Sequence, residues 1–348
     1  MGVKTAIEWC DSTWNPTSGC TPISEGCKNC WARRMAPRLA GRCGYNAEEP
    51  FRVTFHPDQL DKPLRWKKPR RIAVSLMGDL FHEDIPDEWI ARIWAVMLGC
   101  PQHIFLVLTK RPERMAAWLN RCGNGGNLGW ITHDNTKPEK SYGGTGIIVG
   151  NTDNWPLCNV WLGTSVENQK AADERIPWLL KCPADARFMS MEPLLGPVDI
   201  PLYPKQCPNC KKSTEGRVTG LRGDRAEAFS WYCGRKSCCN SLPLPSVDWI
   251  ICGGESGPHA RPMHPDWVRS IRDQCQSAGV PFFFKQVGEW LPSLDVPSGY
   301  ADTYSSKTRG SRNPSCVCNN ELMVRVGKHA AGRLLDGKEH NEMPEVKP

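Results

Sequence analysis

The chain has 348 residues, 40% hydrophobic and 23% charged, with a net charge of +7 and a mean hydropathy of −0.48. These values exclude a disordered chain, a collagen or a coiled coil as the main theme, and no apolar run reaches the roughly 18 residues a membrane helix needs. The first residues lack the apolar core of a secretory signal, so a cytoplasmic protein with no membrane partner is expected, basic enough to permit a nucleic-acid partner without requiring one.

The predicted elements alternate strand and helix in chain order. Strands are expected at Ile72–Met77, Ile104–Leu108, Val160–Ser165, Arg187–Met191, Val247–Cys252 and Pro281–Lys285, where short β-branched or aromatic runs end in polar residues. Helices are expected at Trp31–Leu39, Asp87–Leu98, Pro112–Leu119, Ala171–Leu180 and Pro265–Cys275, with Asp87 as a cap and Asp266 in a first turn. The alternation predicts an α/β fold, a partial or full parallel (β/α) TIM-type barrel with a small zinc-ribbon-like insertion. The expected division is a barrel over 1–202, a cysteine-rich insertion over 203–245, the barrel's return over 246–290 and a peripheral tail over 291–348, with a short helical piece at Lys328–Asp336. A second loop-like stretch, Arg121–Cys158, is rich in Gly, Asn and Thr.

Nearly every predicted strand ends in groups suited to chemistry: Asp79 after the first, Thr109, Lys110 and Arg111 after the second, Glu167, then Glu192, then Gly253-Gly254-Glu255, then Gln286. In parallel barrels the working face is built at the carboxyl ends of strands, so the recurrence points to one shared site. Taken singly, each such residue also reads as a helix cap, a turn filler or half of a salt bridge.

The 18 cysteines are the unusual count. Without an export signal, pairs two residues apart favour metal binding over disulfides. Cys20, Cys27 and Cys30 lie in GCTPISEGCKNCWA at C-x6-C-x2-C, with no fourth ligand of the right type nearby. A structural zinc site wants four protein ligands, whereas a three-cysteine [4Fe–4S] cluster leaves one iron open. Farther on, Cys207, Cys210, Cys233 and Cys238 (or Cys239) have the spacing of a zinc-ribbon knuckle pair, so Zn²⁺ is expected there. Basic and aromatic residues around that segment suit nucleic-acid contact, and equally a metal-stapled lid. No Walker loop, GxSxG or HExxH motif occurs, and the histidines form no catalytic set.

The three-cysteine segment resembles that of radical S-adenosylmethionine (SAM) enzymes, and more closely a phage-associated three-cysteine-motif family of poorly characterised function. The resemblance also rests on Glu8-Trp9, Thr13-Trp14-Asn15-Pro16, Leu108-Thr109-Lys110-Arg111-Pro112, Gly163-Thr164-Ser165-Val166-Glu167, Ser190-Met191-Glu192-Pro193-Leu194 and the tail AAGRLLDG. Two features depart from the radical SAM pattern: the first cysteine spacing is longer, and Gly253-Gly254-Glu255 follows a late strand rather than the second. The resemblance implies a [4Fe–4S] cluster on Cys20, Cys27 and Cys30 and SAM contacts drawn from Asp79, Thr109, Glu167, Gly253, Gly254 and Glu255. It further implies catalytic roles for Lys110 and Glu192, a reductant such as flavodoxin or ferredoxin, and action on DNA or a modified nucleotide, beside a phage partner protein or alone. The rival reading is a non-catalytic, zinc-dependent nucleic-acid-binding protein.

Overall fold

The computed structural model describes residues 5, 7–123, 155–200, 202, 247–296 and 315–345, together with short strand segments within 127–149 and 215–243. Seven strands make one parallel sheet in chain order: β1 (Ser12–Trp14), β2 (Arg71–Val74), β3 (Ile104–Thr109), β4 (Val160–Ser165), β5 (Ala186–Met191), β6 (Trp249–Gly253) and β7 (Phe282–Gln286). The fold is therefore mixed α/β, with the strand order of a partial (β/α) barrel. β4 and β6 are buried along their whole length, as expected of parallel strands covered on both faces.

The main helices are α1 (Trp31–Met35), α2 (Asp87–Leu98), α3 (Pro112–Gly123), α4 (Gln169–Lys181) and α5 (Pro265–Ala278). Several boundaries differ from the sequence expectation for local reasons. The first predicted strand stops at Val74 because Ser75 turns into the left-handed region, at φ +53°. α1 gives way to a 3-10 turn over Ala36–Leu39 at Pro37, which has no N–H for the α-helical bond. Asp87 is not a cap: Pro86 holds that position, and Asp87 pairs instead with Arg114 and Arg121. The cap of α5 is His264, whose side chain accepts from the Asp266 N–H.

The described residues group into two compact units. The first comprises Met1–Ser165 with Asp173–Ser190, and carries β1 to β4 and the cysteine loop. Its α2 buries Ile90, Ile93, Trp94 and Met97, and Trp94 packs on Trp118 of α3 with ring centroids 5.0 Å apart.

The second unit comprises Val166–Ala172 with Met191–Pro348. Its C-terminal residues, expected to form a peripheral tail, build structure of their own. β8 (Trp290–Pro292), β9 (Ser315–Cys318) and β10 (Glu321–Arg325) form an antiparallel sheet. The helical piece covers only Lys328–Ala331, ending at Gly332 with φ +68°. The chain then returns along β7: Phe284 N–H donates to the His340 carbonyl, and Phe283 pairs with Asn341. An otherwise open strand edge is thereby covered.

Asp336 locks this return in place by accepting from Arg269 Nε at 2.9 Å and Arg272 Nη1 at 2.5 Å. The two guanidiniums hold its carboxyl below the usual carboxylate range. A depressed carboxyl stabilises the fold above its unfolded pKa and loses that contribution as pH falls through the folded value. Asp336→Asn is therefore expected to lower stability at neutral pH and to flatten the fall in stability on acidification. Urea melts of both proteins at pH 7 and pH 3 check this.

Within the predicted insertion, short antiparallel strands pair at Glu215–Arg217, Ser230–Tyr232 and Leu242–Pro243. Cys207, Cys210, Cys233, Cys238 and Cys239 lie outside the described residues. No helix among the described residues is long and apolar enough to cross a membrane.

Candidate metal centre and strand-end sites

The cysteine loop is seated on the carboxyl end of β2 by backbone contact. Thr17–Ser18 pairs antiparallel with Thr54–Phe55, and the Gly19 N–H donates to the Met77 carbonyl at 2.9 Å. Gly19, at φ +86°, and Gly78 lie against each other, and a Cβ on Gly78 would stand 2.6 Å from the Gly19 carbonyl oxygen. Side chains repeat the anchoring: Thr17 Oγ1 bonds the Ser75 hydroxyl at 2.8 Å and Ser18 Oγ bonds His56 Nε2 at 2.7 Å. The left-handed Ser75 is thus held by the loop it supports.

Arg111 ties the first cysteine to the strand ends. Its Nη1 donates to Cys20 Sγ at 3.4 Å and to Asp79 Oδ2 at 3.2 Å, Nη2 donates to the Thr21 carbonyl and hydroxyl, and Nε donates to Glu83. Asp79, only 5% exposed, also accepts from Thr109 Oγ1 at 2.6 Å and from the N–H groups of Phe81 and Lys110. Asp79, Thr109 and the Lys110 backbone are therefore brought together with Cys20 through Arg111, and the Asp79 carboxylate is engaged within the protein. His82 is fully buried; its Nδ1 accepts from the Asp84 N–H, which leaves Nε2–H to donate to Thr21 Oγ1 at 2.8 Å. Burial, reinforced by Arg111, lowers its pKa and favours the neutral ring.

The thiols differ. Burial pushes Cys20 up to about 11, with the Asp79 charge adding to it and Arg111 opposing. Burial also raises Cys27, but hydrogen bonds at Ile23 and Ser24 and the Lys110 charge outweigh it, and the net shift is downward. Cys27 ends a 3-10 turn over Glu25–Cys27, and Cys30 stands at the N-cap of α1, packed against Ala32, Ala36, Tyr45 and Met77. Among the described residues no group of three or more His, Cys, Asp or Glu side chains is arranged to hold a metal ion. The three thiols thus share one anchored loop without converging in this conformation.

The second unit gathers the later strand ends. Glu167 is buried, and its carbonyl accepts from Leu195 N–H at 2.7 Å. Glu192 Oε1 lies 2.9 Å from Lys285 Nζ, and a Cβ on Gly253 would meet that same Oε1 at 3.3 Å. Gly254 packs backbone to backbone: its N–H donates to the Gln286 carbonyl, and a Cβ there would stand 1.9 Å from the Val287 carbonyl oxygen. Glu255 accepts from Arg261 three times, from N–H, Nε and Nη2, at 2.8 to 2.9 Å. The Gly-Gly-Glu run is thus occupied by close packing and an arginine fork.

Sequence reasoning undervalued Arg111 and missed Thr21, Glu83, Arg261 and Lys285 as partners. Only the succession Thr109-Lys110-Arg111 at a strand end pointed toward one of them; the others are joined to their partners by folding.

A family model described as "Protein of unknown function (DUF5131)" matches residues 4–344. Searches of the curated proteins and of the solved structures gave no match. With nearly its whole length matched, the chain belongs to the DUF5131 family.

Proposed function

We propose that this protein is a radical SAM-like enzyme in which Cys20, Cys27 and Cys30 hold a [4Fe–4S] cluster with one iron left open. The observation that carries the reading is the anchoring of a three-thiol loop on a parallel strand end, with Arg111 on Cys20 and the Lys110 charge acting on Cys27. The donor set fits such a group in kind: three thiols in one loop, beside two cations that offset an anionic cluster. When bound, the cluster supplies one-electron reduction of the SAM sulfonium.

The chain's own residues hold and orient. Arg111 fixes Cys20, and Asp79, Thr109 and His82 fix Arg111 and Thr21 in turn, so Asp79 acts as a positioning residue. Closing the site requires the Ser24–Cys30 turn to bring its two thiols toward Cys20, while the Gly19–Gly78 contact keeps the loop's base in place. In the second unit the Glu192–Lys285 pair, with Gly253 bare beside it, is the polar group offered to SAM or substrate, together with Glu167. Glu255 positions Arg261. Zinc on Cys207, Cys210, Cys233 and Cys238, and a nucleic-acid base as substrate, belong to the same proposal; the basic charge of the chain supports the second.

Anaerobic purification with iron, sulfide and zinc analysis tests it. The expected protein is brown, with about four irons per chain on this loop, and on reduction it converts SAM to 5′-deoxyadenosine. Cys27→Ala loses the colour and Cys210→Ala keeps it. A colourless protein with zinc at both cysteine groups would overturn the enzyme in favour of a zinc-dependent nucleic-acid-binding protein.

A further inference from the structure

Residues 23–52 contain six Lys or Arg against three acids, Glu25, Glu48 and Glu49. α1 and the following 3-10 turn bury Ala32 and Ala36 against Tyr45 and Met77. Two large apolar residues here are left to solvent: Trp31, the first residue of α1, is 53% exposed and Ile23 47%. Trp31 is the one exposed tryptophan among the described residues; the rest are buried or half-buried. In the same stretch of chain Lys28, Arg33, Arg38, Arg42 and Arg52 are all exposed, and none forms an ion pair with a described residue. Arg33 lies over the Phe51 ring at 5.9 Å, which orders its stem.

A bare indole on a stretch with a net excess of exposed cations suits one partner chemistry. A phosphate backbone neutralises the cations, and an unstacked base finds a flat apolar face. An acidic protein can also cover cations and an indole, but the net charge of +7 over the whole chain favours a polyanion. A duplex would offer no free base face, and α1, five residues long, is no reading helix for a groove.

We infer that this face docks single-stranded nucleic acid, with a base stacked on Trp31 and phosphates held by Lys28, Arg33, Arg38, Arg42 and Arg52. The inference deepens the nucleic-acid part of the proposed function and does not depend on the cluster. It places the strand beside Cys27 and Cys30.

The test is fluorescence anisotropy of a labelled single-stranded DNA oligonucleotide with the full-length protein purified without iron. Wild type binds at low salt, and affinity falls steeply as salt rises. Trp31→Ala weakens binding about fivefold or more. The double variant Arg38→Glu, Arg42→Glu weakens it at least tenfold and lowers the salt slope by about 0.7 for each phosphate that is no longer neutralised. Lys67→Glu with Lys68→Glu makes the same charge change at the opposite, amino end of β2 and leaves affinity within about twofold. Thermal melts verify that each variant folds.

Unchanged binding in the Trp31 and Arg38/Arg42 variants overturns the inference, as does equal weakening in the Lys67/Lys68 variant. Failure to bind the oligonucleotide while an acidic flavodoxin is retained assigns the face to a protein partner and also overturns it. Because the readout uses iron-free protein, none of these results bears on whether the cysteines hold a cluster.

Discussion

Arg111→Ala is expected to destabilise the first unit by about 3–5 kcal/mol, the range for breaking a buried ion pair by removing one partner. Arg111 and Asp79 side chains are 10% and 6% exposed, so the carboxylate loses its counter-ion with little access to water and keeps only its bonds from Thr109, Phe81 and Lys110. The same change deletes the donors to Cys20 Sγ, the Thr21 carbonyl and the Thr21 hydroxyl, releasing the loop from the end of β3. Arg111→Lys keeps the charge but not the planar fork, and one ammonium does not replace the bonds to Asp79, Glu83, Cys20 and Thr21 together. Recovery is therefore partial. Denaturant unfolding of the iron-free proteins measures the stability change. Iron retained after reconstitution, in Arg111→Lys against wild type, measures the loop. A stable Arg111→Lys protein with poor iron retention is the signature expected of a positioning residue.

Gly254→Ala should be as damaging to the second unit, at about 3 kcal/mol or more, toward the upper end of overpacking costs. The added methyl would stand 1.9 Å from the Val287 carbonyl oxygen and 3.2 Å from Gly288 Cα, both backbone atoms, with no flexible tip to move. Gly253→Ala makes a useful contrast. Its methyl meets the Glu192 carboxylate at 3.3 Å, a side chain able to give way, and the Gln286 carbonyl oxygen only at an ordinary contact distance of 3.4 Å, so stability should change little. If Glu192 and Lys285 serve SAM or substrate, Gly253→Ala lowers activity while Gly254→Ala lowers the melting temperature. Thermal melts set beside SAM-cleavage rates distinguish the two. Equal melting temperatures would show that the backbone at Gly254 accommodates a side chain.

The long apolar runs were legible because parallel strands buried on both faces are written as continuous β-branched and aromatic sequence. Ile104–Thr109, Val160–Ser165 and Ala186–Met191 all lie within a residue of their expected bounds. β1 was not legible: three residues, Ser12–Trp14, carry no periodicity, and their pairing with Ile72–Val74 is set by the sheet. Ser75 ends β2 early by adopting a left-handed backbone that sequence does not mark in serine. The three-cysteine loop could be seen from spacing alone. Its anchor could not, because Arg111 and Asp79 are 32 residues apart and meet only once β2 and β3 are paired. The glycines of Gly253-Gly254 read as a ligand-binding signature, whereas the contact that demands Gly254 is with Val287 of the same unit. His264 and Asp336 show the same limit: their roles as cap and clamp depend on which helix end and which arginines the fold presents.

The most direct test of the central claim is Mössbauer spectroscopy of protein reconstituted anaerobically with isotopically enriched iron, before and after SAM is added. A three-thiolate cluster with an open corner predicts a four-iron spectrum in which one iron changes its signal on SAM addition while the other three do not. Four irons indifferent to SAM, or no bound iron in a folded wild-type protein, would contradict it.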